Sequence, residues 1–175
     1  MRLEIGPGAA KLGPDWTTVS AAPGRAVDFL CEWGIDDLPF PDEHFDEVYS
    51  SHCIEHVSWL NAESALMEAR RVLKPGGVVE IHTVDFAKLV EFYRSRTCDQ
   101  DDVPHFMVAL SHRLFNYPKR VNDRACANWH HSMYDREYLG WLLDRCGFMD
   151  IHDAGEPRGE EKHGVVSFGL KAVRR

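Results

Sequence analysis

The chain has 175 residues, 44% hydrophobic and 27% charged, with 20 basic against 28 acidic residues and a formal charge of -8. That length suits one domain with a sizeable core, and the composition excludes disordered and collagen-like classes. The acidic balance, with basic residues scattered apart from pairs such as Arg70-Arg71, argues against duplex nucleic acid, whose phosphates demand a concentrated basic surface.

Arg113, Lys119, Arg120 and Arg124 come nearest to a basic cluster, and they read first as a solvated face. The five cysteines, Cys31, Cys53, Cys98, Cys126 and Cys146, are odd in number and contain no C-x-x-C pair. They indicate neither a disulfide framework nor a zinc knuckle. With no basic-then-apolar leader and no apolar run near the roughly 20 residues a bilayer demands, a cytoplasmic protein that makes no membrane contact is expected.

Leu3 to Ile5 reads as a short strand stopped by Gly6-Pro7-Gly8. Trp16 to Ser20, Ala26 to Leu30 and Phe45 to Ser50 are further strand-like runs bounded by turn residues. Asn61 to Leu73 has the helical period, with Ala65, Leu66, Ala69, Val72 and Leu73 on one side. Lys74-Pro75-Gly76-Gly77 stops it, because proline cannot continue a helix and glycine takes the turn. A strand over Val78 to Val84 and a helix over Phe86 to Arg94 follow, then a helix over Tyr134 to Cys146 and closing strands at Phe148 to His152 and Val165 to Val173. Strands alternating with helices predict a mostly parallel α/β sheet with an antiparallel C-terminal edge. Residues 97–132 break that rhythm. They are too long and too rich in Phe, Leu and Met for a plain connection, and read as a helical lid inserted in a single domain over residues 1–175.

A strand ending in Gly-x-Gly offers backbone N–H groups and a bare surface at the carboxyl edge of a sheet, where open α/β folds bind ligands. An ordinary loop explains G-P-G about as well. The dinucleotide fingerprint would need glycine at position 11, which is Lys11, so a nicotinamide-dependent oxidoreductase is disfavoured. Glu4, two residues before the first glycine, suits a cofactor bearing an ammonium group better than a diphosphate. His52 and His56 are four apart and His130-His131 come later, but no third ligand is evident and no metal is expected.

Three blocks, L-E-I-G-P-G, then D-D-L-P-F-P-D-E-H-F-D-E-V-Y-S-S-H-C-I-E-H-V, then R-R-V-L-K-P-G-G-V-V-E-I, occur in that order from Leu3 to Ile81. Together they resemble the class I S-adenosylmethionine-dependent methyltransferases, of the small type related to the ubiquinone-biosynthesis enzymes. The later stretch H-H-S-M-Y-D-R-E-Y-L-G-W-L-L-D-R-C-G-F resembles the last crossover helix of that family. The resemblance implies a Rossmann-like sheet and S-adenosyl-L-methionine as cofactor. It implies Glu4, Gly6 and Gly8 as the floor beneath the methionine part, with Ser50, Ser51 and His52 beside the sulfonium and amino-acid end.

The main departure lies at the second strand, which in the family ends in an acid that grips the ribose. If Trp16 to Val19 is that strand, the position falls to Ser20, and Ala26 to Leu30 becomes the third strand after a very short first crossover. Glu32 then lies where the family places a carboxylate for the adenine amino group, with Trp33 placed to cover the ring, although ordinary core packing is the commoner role for such a tryptophan. The alternative register makes Ala26 to Phe29 the second strand and Asp28 the acid, but it requires a helix through Gly13-Pro14 and Thr17-Thr18-Val19, a poor helical sequence.

Methyl transfer to a hydroxyl needs a base, and histidine has the ordinary pKa for it. His56 and Asp85 rank first by position, ahead of His82, His130 and His131. The sequence lacks the Asn/Asp-Pro-Pro-aromatic run of many N-methyltransferases after the fourth strand, reading Tyr49-Ser50-Ser51-His52 instead. A small methyl acceptor, methylated at oxygen, is therefore expected. Because the chain begins on the first strand, the lid or a second copy of the chain is expected to cover the pocket. Ser20 in place of an acid keeps open a rival class, a catalytically inactive cofactor-binding regulatory subunit.

Overall fold

The computed structural model describes residues 1–97, 105–115, 129–159 and 166–175. Its centre is one seven-stranded sheet made of β1 (Arg2–Ile5), β2 (Trp16–Ser20), β3 (Phe29–Leu30), β4 (Phe45–Ser51), β5 (Leu73–Val84), β6 (Phe148–Asp153) and β7 (Ser167–Arg174). The spatial order is β3-β2-β1-β4-β5-β7-β6. β1 is parallel to β2 and β4, β2 to β3, and β4 to β5. The expected antiparallel pairing is present, with β7 antiparallel to both β5 and β6 and lying between them. The strand order reverses at β1, so the ends of β1 and β4 flank the crevice where such sheets bind ligands.

Among the described residues four α-helices accompany the sheet: α1 (Ala62–Val72), α2 (Phe86–Ser95), α3 (Phe106–Phe115) and α4 (Arg136–Arg145). Asp85 caps α2 by accepting from the Ala87 N–H, and Asp135 caps α4 by accepting from the Tyr138 N–H, each satisfying an orphan donor of a first turn. α1 buries the apolar side that its period predicts, Ala62, Ala65, Leu66, Ala69 and Val72. The Lys-Pro-Gly-Gly run does not separate helix from strand as expected. β5 starts at Leu73, which pairs with Phe45, and the run is absorbed as an irregularity, with Gly76 at φ +76°.

Between β1 and β2 there is no helix, only turns. The expected third strand shrinks to Phe29–Leu30, because the residues before it are tied sideways. Thr18 donates its hydroxyl to the Ala26 carbonyl and receives the Asp28 N–H, while the Asp28 carboxylate accepts from the Thr18 N–H at 2.9 Å and pairs with Lys11 at 2.5 Å. This clasp connects the Gly-x-Gly loop to the approach of β3.

The two faces of the sheet differ sharply. Leu3, Ile5, Val19, Val48, Val79, Ile81, Leu170 and Ala172 pack with the apolar sides of α1 and α4 into the main core. By strand alternation the opposite face carries Arg2, Glu47, Tyr49, Glu80, His82 and Lys171. The described residues 154–159 after β6 lie on that face. There Arg158 pairs with Glu47 and Glu80 and stacks its guanidinium over the Tyr49 and Trp16 rings, and its N–H donates to the Tyr49 hydroxyl. Among the described residues no helix is long and apolar enough to cross a membrane.

The segment expected as a lid contributes α3, which packs on α2 through Leu89, Leu110 and Leu114. Residues 98–104 and 116–128 of that segment, with Tyr117, Lys119, Arg120 and Arg124, lie outside the described residues, as does the start of the expected Val165 strand.

Candidate active site

A cleft of about 560 Å³ opens at the carboxyl ends of β1, β2 and β4, within the range of small-ligand sites. Gly6, Gly8, Ser20, Glu32, Trp33, His52 and His56 all line it, so seven of the residues singled out from the sequence converge on one cleft. Gly6 is at φ +76°, and a Cβ there would stand 3.0 Å from the Cys53 sulfur. Both the backbone conformation and the space therefore demand glycine. A wider open groove, about 600 Å³, runs at the amino end of the sheet among Met1, Arg2, Asp15, Asp46 and Glu47. It is occupied by ion pairs such as Arg2–Asp15 and Arg2–Glu47 and lies at the opposite edge from the Gly-x-Gly turn.

Glu4 and Ser50 stand behind the cleft rather than in its lining, both buried. The Glu4 carboxylate accepts from the Leu12 N–H at 2.9 Å, which ties down the loop after Gly8. Burial pushes the Glu4 carboxyl up, while that hydrogen bond and the Lys11 charge act the other way. Ser51 is half-buried at the end of β4. Trp33 is core as well as wall, since its indole N–H donates to the Ala65 carbonyl at 2.8 Å and only 5% of it is exposed.

The register question at the second strand resolves in favour of Trp16–Ser20. Ser20 reaches the cleft, and Asp28 does not line it. The Asp28 carboxyl is held below its ordinary value chiefly by the Lys11 hydrogen bond, with the two Thr18 hydrogen bonds adding to it. It is already committed to the clasp.

The stretch after β4 forms a single turn of 3-10 helix, Ile54–His56. His52, just before it, sits in left-handed backbone at φ +50°, an uncommon conformation for a residue with a side chain. This aims its ring inward. Nδ1 meets Glu55 Oε1 at 2.9 Å and Nε2 meets Ser167 Oγ at 2.8 Å. Glu55 is 1% exposed, and its second oxygen accepts from the Thr83 hydroxyl at 2.9 Å. Burial works to raise the Glu55 carboxyl, but the His52 hydrogen bond and the charges of His52 and His56 outweigh it and hold it below the ordinary value. Its backbone carbonyl accepts from the N–H groups of His131 and Ser132, fixing the 130s segment to the turn.

Beyond this turn lies a second compartment, about 110 Å³, lined by His52, Glu55, His56, Val84, His112, Arg113, His130 and Val166. His52 and His56 belong to both cavities. The His56 ring lies edge-on to His130 with centroids 5.0 Å apart, and its Nδ1 is 3.1 Å from the Trp129 carbonyl oxygen. A carbonyl only accepts, so Nδ1 carries the proton of the neutral ring and Nε2 keeps its lone pair. Burial lowers the His130 pKa, favouring its neutral form.

Other candidates from the sequence fall elsewhere. Asp85 lines neither cavity, and its carboxylate is the cap of α2. His82 is fully buried on the polar face of the sheet, with Nε2 2.9 Å from Glu80. His131 lines the cofactor-type cleft. Arg113, read from the sequence as part of a solvated face, lines the second compartment. Sequence reasoning passed over His112 because nothing in the spacing of α3 says which side meets the turn after β4. Among the described residues no group of three or more His, Cys, Asp or Glu side chains is arranged to hold a metal ion.

The strand order, the glycine turn at the switch point and the adjoining cleft make a Rossmann-like α/β sheet with a ligand-sized cleft at its carboxyl edge, an arrangement similar to that of class I S-adenosyl-L-methionine-dependent methyltransferases. Residues 5–81 match the family model described as "Methyltransferase domain". Over part of its length the chain is similar to ubiquinone and menaquinone methyltransferases. It is 29% identical over 119 residues to the demethylmenaquinone methyltransferase of Tropheryma whipplei (strain Twist), covering 65% of this chain and 44% of that protein. It is 40% identical over 55 residues to the ubiquinone/menaquinone biosynthesis C-methyltransferase UbiE of Vibrio parahaemolyticus, covering 31% of this chain and 20% of that one. The chain thus spans less than half the length of these relatives. In fold it is similar to an S-adenosylmethionine-dependent methyltransferase from Thermotoga maritima, with TM-score 0.61 and 18% identity over 99% of this chain and 82% of that one.

Proposed function

We propose that the chain transfers a methyl group from S-adenosyl-L-methionine to a small acceptor bearing an ionisable hydroxyl, with His56 as the base that takes the hydroxyl proton. The observation that carries this reading is the position of His56 in the wall shared by the two cavities, with Nδ1 committed to a carbonyl and Nε2 left basic.

The cleft fits the cofactor at its ends. Gly6 and Gly8 let the backbone approach the methionine part, Glu4 holds the loop beneath it, and Glu32 and Trp33 stand at the far wall for the adenine. At the ribose Ser20 offers one hydroxyl in place of a carboxylate. The cofactor, when bound, supplies an already activated methyl group. The residues of this chain then have to align the acceptor, exclude water and move one proton. Alignment alone is worth up to about 7–11 kcal/mol in ideal cases, and a positioned base a further ~10²–10⁴-fold in rate.

From the sequence, oxygen was the expected methyl-accepting atom. The Vibrio relative is a C-methyltransferase, which moves the preference to carbon. His56 serves that chemistry too, because a ring carbon beside a hydroxyl becomes more nucleophilic once the hydroxyl loses its proton.

Calorimetry with S-adenosylhomocysteine tests the cofactor reading, with saturable binding as the expected result. Transfer of a labelled methyl group to hydroxylated aromatic acceptors tests the chemistry. Absence of binding refutes the proposal, whereas binding with no transfer across such acceptors supports the rival of a non-catalytic adenosyl-binding subunit.

A further inference from the structure

The cofactor-type cleft is short of groups that can receive an anion. No lysine or arginine stands among the described residues of its lining, and Glu32 adds a carboxylate of its own. S-Adenosyl-L-methionine carries a carboxylate at its methionine end, and a carboxylate taken out of water needs donors. Most donors in the lining are committed. The Gly6 N–H donates to the Val19 carbonyl at 2.9 Å. The Trp33 indole N–H donates to the Ala65 carbonyl, and the two ring nitrogens of His52 are engaged by Glu55 and Ser167. His56 spends its Nδ1–H on the Trp129 carbonyl, so the neutral ring has only a lone pair left, which accepts rather than donates. Asn61 lies beside Gly34, at the Trp33 end of the cleft.

His131 remains. Its side chain is exposed in the cleft, and its ring makes no hydrogen bond among the described residues. Its backbone is held firmly. The His131 N–H donates to the Glu55 carbonyl at 2.7 Å, and Ser132 donates its N–H to the same carbonyl and its hydroxyl to the Val57 carbonyl. Cys53, two residues before Glu55, lies against Gly6. These contacts anchor His131 at the Gly-x-Gly end of the cleft, where the methionine part of the cofactor is read, and away from Glu32. Resting on the methyltransferase reading above, we propose that His131 is the residue that binds the cofactor carboxylate, its imidazole N–H donating to a carboxylate oxygen. Recognition is then divided, with Ser20 and Glu32 serving the adenosine half and the segment before α4 serving the amino-acid half.

The test is calorimetry on the full chain with two probes that differ only in the carboxylate, S-adenosyl-L-methionine and its decarboxylated form. The proposal expects the wild-type chain to bind the carboxylated probe at least about tenfold more tightly, roughly the worth of one hydrogen bond to a charged group. In His131→Ala that preference is expected to fall below about threefold, through weaker binding of the carboxylated probe while the decarboxylated one keeps its affinity. His131→Leu serves in its place should the alanine variant not fold. His131→Arg is expected to restore the preference, and His131→Glu to invert it. Equal affinity of the wild-type chain for the two probes, an undiminished preference in the folded alanine or leucine variant, or an equal loss of both probes overturns the assignment and leaves the adenosyl-cofactor reading standing. Failure of the wild-type chain to bind either probe overturns both.

Discussion

At the scale of single residues, Ser20 and His56 give the sharpest expectations. On the proposed cofactor reading, a carboxylate at position 20 would make two charge-assisted hydrogen bonds to the ribose where the Ser20 hydroxyl would make neutral ones. Ser20→Asp is expected to tighten S-adenosylhomocysteine binding by about tenfold, read by calorimetry. Asp28→Asn is expected to leave that affinity within about threefold and to lower stability by about 1 kcal/mol through loss of the Lys11 clasp, read by urea unfolding. A larger loss of affinity in Asp28→Asn than in Ser20→Ala would return the ribose role to Asp28. His56→Gln is expected to cut methyl transfer by about 10²–10⁴-fold while cofactor affinity changes little. An unaltered rate would remove His56 from the chemistry.

At the scale of elements, the pairing of β5 with β7 depends on one missing side chain. Gly169 sits opposite His82, and a Cβ there would overlap the His82 imidazole, which is fully enclosed. Gly169→Ala is expected to destabilise the fold by about 1–3 kcal/mol or more, and His82→Ala in the same chain to recover part of the loss. Thermal unfolding of the single and double variants measures both, and additive effects would refute the contact. Nothing local in S-F-G-L-K announces this requirement. The elements themselves were legible where hydrophobic period was strong: β2 came out at its expected ends, and α1, α4 and β6 within a residue or two. They were not legible where side chains override period. The Thr18 hydroxyl and Asp28 carboxylate pull residues 26–28 out of β3, and such cross-chain bonds have no signature in sequence.

For the whole molecule, the polar face of the sheet makes stability depend on acid. Burial works to raise the Glu80 carboxyl, but hydrogen bonds from His82 and Arg158 and the charge of Arg158 prevail and pull it down to about 2 from an ordinary 4.5. A depressed acid contributes stability that is complete above the ordinary value and is lost as pH falls through the folded one. Unfolding free energy is therefore expected to drop by about 1–3 kcal/mol between pH 4.5 and pH 2. Glu80→Gln should flatten that window and be less stable at neutral pH, where Arg158 loses a partner. An unchanged acid limb in Glu80→Gln would assign the dependence elsewhere. The same scale explains what the sequence withheld about the site. The cleft was readable because Gly6, Gly8 and the Ser51-His52 turn are close to strand ends, whose convergence the fold guarantees. The second compartment was not, because it joins α3, the turn after β4 and the 130s segment, whose meeting depends on packing rather than on order along the chain.

His52 and His56 form a party wall between two cavities, held by a left-handed residue and a buried carboxylate. A guest on either side sets the electrostatic field and the rotamer freedom felt by the other, so the two affinities are thermodynamically linked and the coupling is reciprocal. On the proposed function, whatever factor by which the cofactor alters acceptor affinity, the acceptor must return to the cofactor, and demethylation of the cofactor would be a signal read on the acceptor side.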